Sequence, residues 1–430
     1  MNENRLFLKY VSQNILGMMG ISFYILADTF FIAQAKGADG MTALNLVLPI
    51  YSLIFAIGAM IGVGSAIRFK ILRARKDKAA EYFFSNAIIC TSIIGCIFII
   101  VGMIFSDNIM MLLGADERIC RVGGTYTKTF LLFTPFFMLN QVFNAFVRND
   151  GDPSLAMTAT LSSSLINIIG DYILMFPLGL GMTGAALATG ISPIIGILVC
   201  SIHFLSKKNT LHFQFVAPSL RRLLYSCQLG ASAFVGEISS GVTVAVLNGL
   251  ILGLVGNVGI AAYGVVANVA LVVMSVFNGI SQGTQPLFSD YYGKGNTDSV
   301  KKIRKLAVVT AFLFAVSFLI LIQFGAESVV AVFNSDHNQN MAVYAESGLK
   351  IYFIGFLFAG FNIVGTGFLS ATENAGWAFM ISTLRGFIAV ILCAIVLANL
   401  FAMTGVWLSF PAAECITLFV TVFVMRKTIH

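Results

Sequence analysis

Few charged residues interrupt the long apolar runs of this 430-residue chain, and these few are the ones able to do chemistry. They are Asp28, Asp171, Glu237, Arg385 and Glu414. A charge at the centre of a bilayer costs roughly 2.5–3.5 kcal/mol on insertion scales, so it usually faces a cavity or a partner. Pairing with a neighbouring helix is the plain alternative for each of them.

Two of these acids stand out because they share one depth. Asp28 and Asp171 each lie near the end of a predicted helix, and the two helices run in the same direction. Asn167 precedes Asp171 by four residues and therefore lies on the same helical face. Tyr126 and Thr189 lie near the start of two helices that run the opposite way. Carboxylates, an amide and hydroxyls at one depth can share a proton or coordinate Na⁺, and both chemistries remain open.

The elements that position these residues are membrane helices. Apolar residues make up 58% of the chain and charged residues 10%, with a mean hydropathy of +0.90, which excludes a water-facing globular surface. Runs of about 20 apolar residues, the length that spans a bilayer, predict an all-α integral membrane protein with twelve transmembrane helices. The predicted spans are Leu6–Ala33, Ala43–Ile67, Tyr82–Ile104, Tyr126–Val147, Ser154–Phe176, Thr183–Leu205, Leu223–Leu254, Ile260–Ser289, Ile303–Phe324, Ser347–Leu369, Trp377–Leu400 and Met403–Met425.

Loop charge predicts the orientation of these helices. Most of the 26 Lys and Arg residues fall on the side of the amino terminus, including Arg148 and the clusters at 68–78 and 294–305. The opposite side holds Lys36, Arg118 and Arg121. Because basic loops stay in the cytoplasm, we predict a multi-pass plasma-membrane protein with both termini cytoplasmic. The net charge of +7 is explained in this way, and no nucleic-acid partner is expected.

Other sequence signals argue against an enzyme. The seven cysteines and four histidines show no metal-ligand spacing, so neither a metal site nor a cofactor is predicted. The chain also lacks a nucleophile motif and a nucleotide-binding loop.

The chain repeats itself weakly at a shift of about 222 residues. Lys128, Phe136, Asn140 and Phe146 fall opposite Lys350, Phe358, Asn362 and Phe368. An even number of helices in each half makes the halves parallel, related by a pseudo-two-fold axis along the membrane normal. We predict an amino-terminal six-helix bundle at 1–205, a cytoplasmic linker at 206–222 and a carboxyl-terminal six-helix bundle at 223–430.

Three stretches carry a resemblance to a known family. They are ADTFFIAQAKG (Ala27–Gly37), FVRNDGDPSLAMTATLSSSLINIIGDYILMF (Phe146–Phe176) with GMTGAALAT (Gly181–Thr189), and NGISQGTQPLFSDYYGKGN (Asn278–Asn296). Over nearly its whole length the chain resembles multidrug and toxic compound extrusion (MATE) transporters, most closely the MepA-like and DinF-like bacterial branch. The resemblance implies a V-shaped pair of bundles around a central cleft.

It also implies a function, namely antiport of amphipathic, often cationic compounds against H⁺ or Na⁺ by alternating access. In relatives with this pattern, the positions matching Asp28, Asn167, Asp171 and Thr189 form the cation site, with the position matching Tyr126 beside it. Small drug-like substrates and membrane lipids are the expected partners of a monomer.

Substrate binding is assigned to three residues. Glu237 matches an acidic residue that many family members carry in helix 7, and Asn140 and Asn362 are the matched polar residues of the two halves. Helix 10 has Asn362 where the NorM-like branch has an acid, so a carboxyl-terminal Na⁺ site of that kind is not expected. The main alternative is a flippase for a lipid-linked sugar or another amphipathic lipid. Such flippases tend to place several basic residues in the cleft to bind phosphate, and here only Arg385 lies deep in a span.

Overall fold

The computed structural model describes residues 2–115, 117–215, 217–334 and 338–428, and the side chains of Arg118 and Arg121 lie outside this description. The described chain is almost entirely helical and contains no strand. Its helices are α1 Glu3–Gly37, α2 Gly40–Ala74, α3 Ala80–Leu112, α4 (Glu117–Leu132 and Thr134–Asn149), α5 Pro153–Met175, α6 Gly181–Leu205, α7 Leu220–Val255, α8 Asn257–Gly293, α9 Thr297–Phe333, α10 Gln339–Ala371, α11 375–401 and α12 403–427. Each overlaps one predicted span, so the twelve predicted helices are confirmed.

By length and apolar composition alone, fewer than twelve helices qualify as membrane spans. Among the described residues, nine helices are long and apolar enough to cross a membrane, or ten if the two parts of α4, bent by 48°, count as one. The stretch Ala375–Lys427 is one of these nine helices. It contains two spans, because Ala402, with a positive φ of 48°, separates α11 from α12. The remaining helix, α5, is less apolar and carries Asn167 and Asp171.

The helix ends follow local chemistry. The side chains of Ser219, Asn296 and Asn338 accept hydrogen bonds from backbone N–H groups in the first turns of α7, α9 and α10. Gly37 (φ 57°) and Gly256 (φ 70°) separate α1 from α2 and α7 from α8. Glycine adopts such positive φ values without steric cost, which permits these abrupt turns between antiparallel helices.

Helices α1–α6 and α7–α12 form two six-helix bundles, and the seam between them lies at the end of the molecule that holds both chain termini, here called the terminal side. Helix α2 crosses α7 there in backbone contact. A Cβ atom on Gly64 would lie 1.8 Å from the Ser226 carbonyl oxygen, and one on Gly230 would lie 1.9 Å from that of Met60. Glycine is therefore required at both positions. The limits of the linker at 206–222 stay a prediction.

The second contact of the seam joins α1 to α8. Phe7 and Val11 of α1 belong to the apolar core of the carboxyl-terminal bundle, and Met19 is the last α1 residue that packs against it. One turn further along, the hydroxyl groups of Ser22 and Ser275 are hydrogen-bonded. Beyond that level the core of the amino-terminal bundle contains only its own helices. A cleft therefore opens between the bundles on the side opposite the termini.

Candidate functional site

The parallel packing of α1 on α5 brings the two predicted carboxylates together. Near the terminal side, Gly17 faces Thr160, and a Cβ atom on Gly20 would lie 3.7 Å from the Ser164 hydroxyl oxygen. In the same register, two turns further along, Asp28 and Asp171 lie within electrostatic range of each other. The convergence expected from their common depth is therefore present.

The residues around this pair are largely buried and rich in oxygen. Asp171, Asn167, Thr189 and Tyr126 are 0%, 1%, 4% and 2% exposed, and Asp28 is half-buried. Asn167 Nδ2 donates a hydrogen bond to Thr189 Oγ1 at 3.3 Å. The hydroxyl of Tyr126 lies within electrostatic range of both carboxylates. The five residues predicted to form the cation site thus occupy one pocket.

Several oxygens of this pocket lack a hydrogen-bond donor among the described residues. They are both carboxylate oxygens of Asp171, Oδ1 of Asp28 and Oδ1 of Asn167, all enclosed by the protein. Enclosed polar atoms without partners are costly, and enclosed charges more so. A proton shared by the two carboxyl groups, or a cation held by these oxygens, removes that cost.

Two tyrosines at the pocket were not predicted. The hydroxyl groups of Tyr24 and Tyr51 are 3.0 Å apart, and Tyr51 lies within electrostatic range of Tyr126 and Asp28. Tyr24 precedes Asp28 by four residues, so the rule that residues four apart share a helical face would have found it. Tyr51 lies on α2, and nothing in the spacing of the sequence points to it.

A polar row continues from the pocket toward the terminal side. Thr160 Oγ1 donates to Asn144 Oδ1 at 3.2 Å, and Asn144 Nδ2 donates to Asn140 Oδ1 at the same distance. Asn140, predicted to bind substrate, packs closely on α6, where a Cβ atom on Gly196 would lie 2.4 Å from its Oδ1. Its side chain is half-buried and belongs to this row.

The two other predicted substrate residues differ in accessibility. Glu237 of α7 is exposed, its carboxylate has no hydrogen-bond partner in the described chain, and it lies within electrostatic range of Tyr24 of the other bundle. It therefore faces the cleft. Asn362 is 0% exposed and donates to Glu414 Oε2 at 2.8 Å. Its amide is occupied, so a direct contact between Asn362 and a substrate is disfavoured in this conformation.

The contacts of Asn362 belong to a buried ion pair. Arg385 Nε donates to Glu414 Oε1 at 2.5 Å, joining α11 to α12. At the 222-residue shift these positions fall opposite Ser163 and Ser192, and Ser163 Oγ donates to the Ser192 carbonyl oxygen at 2.7 Å. The two halves thus form the same helix contact, once through serines and once through an ion pair.

Arg148 requires a correction, because the sequence placed it among the loop charges. It lies in the last turn of α4, is 6% exposed and sits in the seam. Its Nη1 donates to Asn14 Oδ1 at 3.2 Å and to Gln282 Oε1 of α8 at 2.8 Å. No carboxylate of the described residues forms an ion pair with it. A charge counted from sequence as a loop charge therefore lies in a helix, buried between the bundles.

Comparisons with known proteins agree with this architecture. The MatE family model matches residues 14–173 and 238–395, once in each half. The multidrug export protein MepA of Staphylococcus haemolyticus is 31% identical over 96% of this chain and 90% of its own length, and MepA of Staphylococcus aureus strain MSSA476 is 29% identical over 93% and 88%.

Solved structures share the fold at lower identity. An outward-facing multidrug resistance MATE transporter of the MOP superfamily superposes with a TM-score of 0.94 at 20% identity, covering 100% of this chain and 96% of that one. A variant of the Vibrio cholerae MATE transporter VcmN gives 0.91 at 17% identity, covering 99% and 96%. With its repeated family match, its MepA relatives and this fold, the chain belongs to the MatE family of membrane transport proteins.

Proposed function

We propose that this protein is a secondary active exporter that expels amphipathic, chiefly cationic compounds while H⁺ or Na⁺ enters at Asp28 and Asp171. The observation that carries the proposal is that these two carboxylates lie within electrostatic range of each other and have enclosed oxygens without hydrogen-bond partners among the described residues. The MepA relatives are multidrug export proteins, in agreement with this activity.

The geometry supports alternating access. Basic residues cluster on the terminal side, for which we propose a cytoplasmic location. The cleft then opens outward, and half-buried Asp28 gives an external cation a route to fully buried Asp171. Binding of a proton or Na⁺ neutralises the pair and removes the repulsion between its members, which favours closure of the outer cleft.

The energy of ion entry suffices for concentrative export. One charge that enters across a potential of 100 mV yields about 2.3 kcal/mol, enough for roughly 40-fold export of a compound without net charge. Export of a cation offsets this contribution, so it must draw on the concentration gradient of the ion or on the entry of more than one ion. Glu237 then acts on the exported compound, because its exposed carboxylate in the cleft can pair with an ammonium group. No cofactor or resident metal takes part in this scheme.

Purified protein in liposomes tests the proposal. We expect a cationic dye to be transported when a pH gradient or a Na⁺ gradient is imposed, and the gradient that works identifies the coupling ion. Empty liposomes and liposomes without a gradient provide the baseline. Absence of dye transport under both gradients, from protein that is monodisperse and correctly inserted, contradicts the proposed function.

A further inference from the structure

The guanidinium group of Arg385 is fixed along one edge and free along the other. Its Nε is bound to Glu414, whereas the polar contact of Nη2 within the described part of the chain is with the thioether sulfur of Met274, 3.8 Å away. Nη1 has no acceptor among the described residues and is not fully enclosed by protein. The side chain is 18% exposed. Since a guanidinium carries five N–H donors, most of them remain available.

The depth of Arg385 shows which medium meets this free edge. Helix α11 begins at Ala375 on the terminal side, so Arg385 lies about 15 Å along it, near the middle of a hydrocarbon layer ~30 Å thick. A charged edge facing lipid at that depth is costly, so it must face water. Met274, which it touches, precedes Ser275, the residue that meets Ser22 of the other bundle. The free edge therefore lies at the floor of the cleft.

The fixed edge is held rigidly. The Glu414 side chain is 3% exposed, and Asn362 binds its second carboxylate oxygen from behind. Arg385 itself lies in a π-helical stretch, Leu384–Ala389. Such widened turns are rare and recur at functional sites. The pair presents its positive end to the cleft and keeps its negative end inside the bundle.

A separate negative charge faces the same cleft. Helix α7 touches α11 closely, because a Cβ atom on Gly386 would lie 2.4 Å from Ser239 Cβ. Glu237 precedes Ser239 by two residues and Arg385 precedes Gly386 by one, so the two charges have similar depths. They form no ion pair with each other in the described chain, although packed helix axes lie only about 8–10 Å apart.

We propose that Arg385 is a specificity-determining residue that binds an anionic group of the exported compound while Glu237 binds its cationic group. The cleft then selects zwitterionic amphiphiles, which carry a carboxylate and a cationic nitrogen on an apolar body, in addition to simple cations. A planar guanidinium edge suits a carboxylate because it offers two parallel donors. This inference rests on the proposed export function.

A matched pair of dyes tests the inference by binding alone. Rhodamine B carries a cationic xanthene and a carboxylate, and its ethyl ester keeps the cation but lacks the carboxylate. Binding of each dye to detergent-purified protein is measured by fluorescence polarisation. The main variant is R385Q/E414Q, which removes both charges together and leaves no orphaned carboxylate. R304Q, which changes a basic residue of α9 that stacks on Phe368, is the matched control.

The inference predicts a specific pattern of dissociation constants. In R385Q/E414Q the Kd for rhodamine B rises about 10- to 100-fold, the range of a charge-assisted hydrogen bond, while the Kd for the ester changes less than about twofold. E237Q weakens both dyes, R385K keeps the preference for rhodamine B, and R304Q resembles the unaltered protein. Retained binding of the ester also shows that the variant is folded.

Two results overturn the inference: equal losses for both dyes in R385Q/E414Q, or an unaltered protein that binds the ester but not rhodamine B. Failure of the export function is recognised separately. In that case both dyes bind as stated here, yet neither an H⁺ gradient nor a Na⁺ gradient moves them across the liposome membrane.

Discussion

Arg148 of α4 reaches across the seam and donates a hydrogen bond to Gln282 of α8, 2.8 Å away, and no carboxylate of the described residues pairs with it. A buried guanidinium that is bonded to neutral acceptors is costly, so burial of the Arg148 charge opposes closure of the terminal side, whereas its hydrogen bond to Gln282 favours closure. The equilibrium between the two openings of the cleft should therefore be sensitive to residue 282.

Substitutions at Gln282 should shift this equilibrium in opposite directions. Gln282→Glu supplies a carboxylate to Arg148 and should favour the closed terminal side. Gln282→Leu removes the acceptor and should disfavour it by about 1.5–3 kcal/mol, the range of a hydrogen bond to a charged group. Distances between spin labels at Lys76 and Lys301, one in each bundle, report the populations. Shifts of the same sign in both variants would refute this reading of Arg148.

Glu373 should act as a latch on the same side. Its carboxylate pairs with Arg68 and with Arg75 at 3.2 Å, and Tyr225 donates to it at 3.1 Å, so one acid of the carboxyl-terminal bundle holds two cations of the other. Glu373→Gln should open the terminal side by about 1–3 kcal/mol, measured with the same labels.

A control and a rescue make the latch prediction specific. Glu81→Gln removes an acid that pairs with Arg73 within one bundle, at 3.8 Å, and should leave the distances unchanged. The double exchange R68E/E373R should restore part of the closed population. Equal effects of the Glu373 and Glu81 variants would show that the latch plays no part in closure.

The glycine crossing of α2 and α7 should be essential for closure. Gly64→Ala places a methyl group 1.8 Å from a backbone oxygen, which no side-chain rearrangement can relieve, so the variant should keep the bundles apart on the terminal side and lose transport. Gly236→Ala, in α7 with nothing within 4 Å of the new atom, is the control. Dye transport and label distances check both variants. Normal transport by Gly64→Ala would show that this contact is dispensable.

The carboxylate pair should be required for ion coupling but not for folding of the protein. Asp28→Asn and Asp171→Asn keep the shape of the side chain but cannot ionise, so each should abolish gradient-driven transport while the protein remains monodisperse. Asp298→Asn, an exposed acid in the first turn of α9, should transport normally. Full coupled transport by both pocket variants excludes the pocket as the cation site.

Chemical labelling checks the orientation. In a cysteine-free background, a cysteine at Leu178, which is 59% exposed between α5 and α6, should react with an impermeant maleimide in intact cells. A cysteine at the exposed position Lys76, on the terminal side, should react only after lysis. The reverse pattern places the termini outside.

Features that depend on depth were readable from the sequence, and features that depend on lateral packing were not. The bilayer fixes helix length, so the twelve spans follow from apolar runs, and counting along them placed Asp28 level with Asp171. Neither the lengths of the apolar runs nor the residue positions along them reveal which helices are neighbours. Tyr51 at the pocket, Arg148 in the seam and the ion pair of Arg385 with Glu414 all depend on that information.

The ion pair of Arg385 with Glu414 affects which charges contribute to the electrical work of transport. Because its two charges cancel inside one bundle, it adds nothing to the charge carried across the membrane in a cycle. In the proposed scheme, that charge equals the number of ions taken up at Asp28 and Asp171 minus the charge of the compound expelled. Export of a zwitterion then draws on the full membrane potential for every ion, whereas each positive charge on a cationic cargo cancels about 2.3 kcal/mol per 100 mV. Voltage should therefore favour the expulsion of zwitterions over that of cations from the same cell.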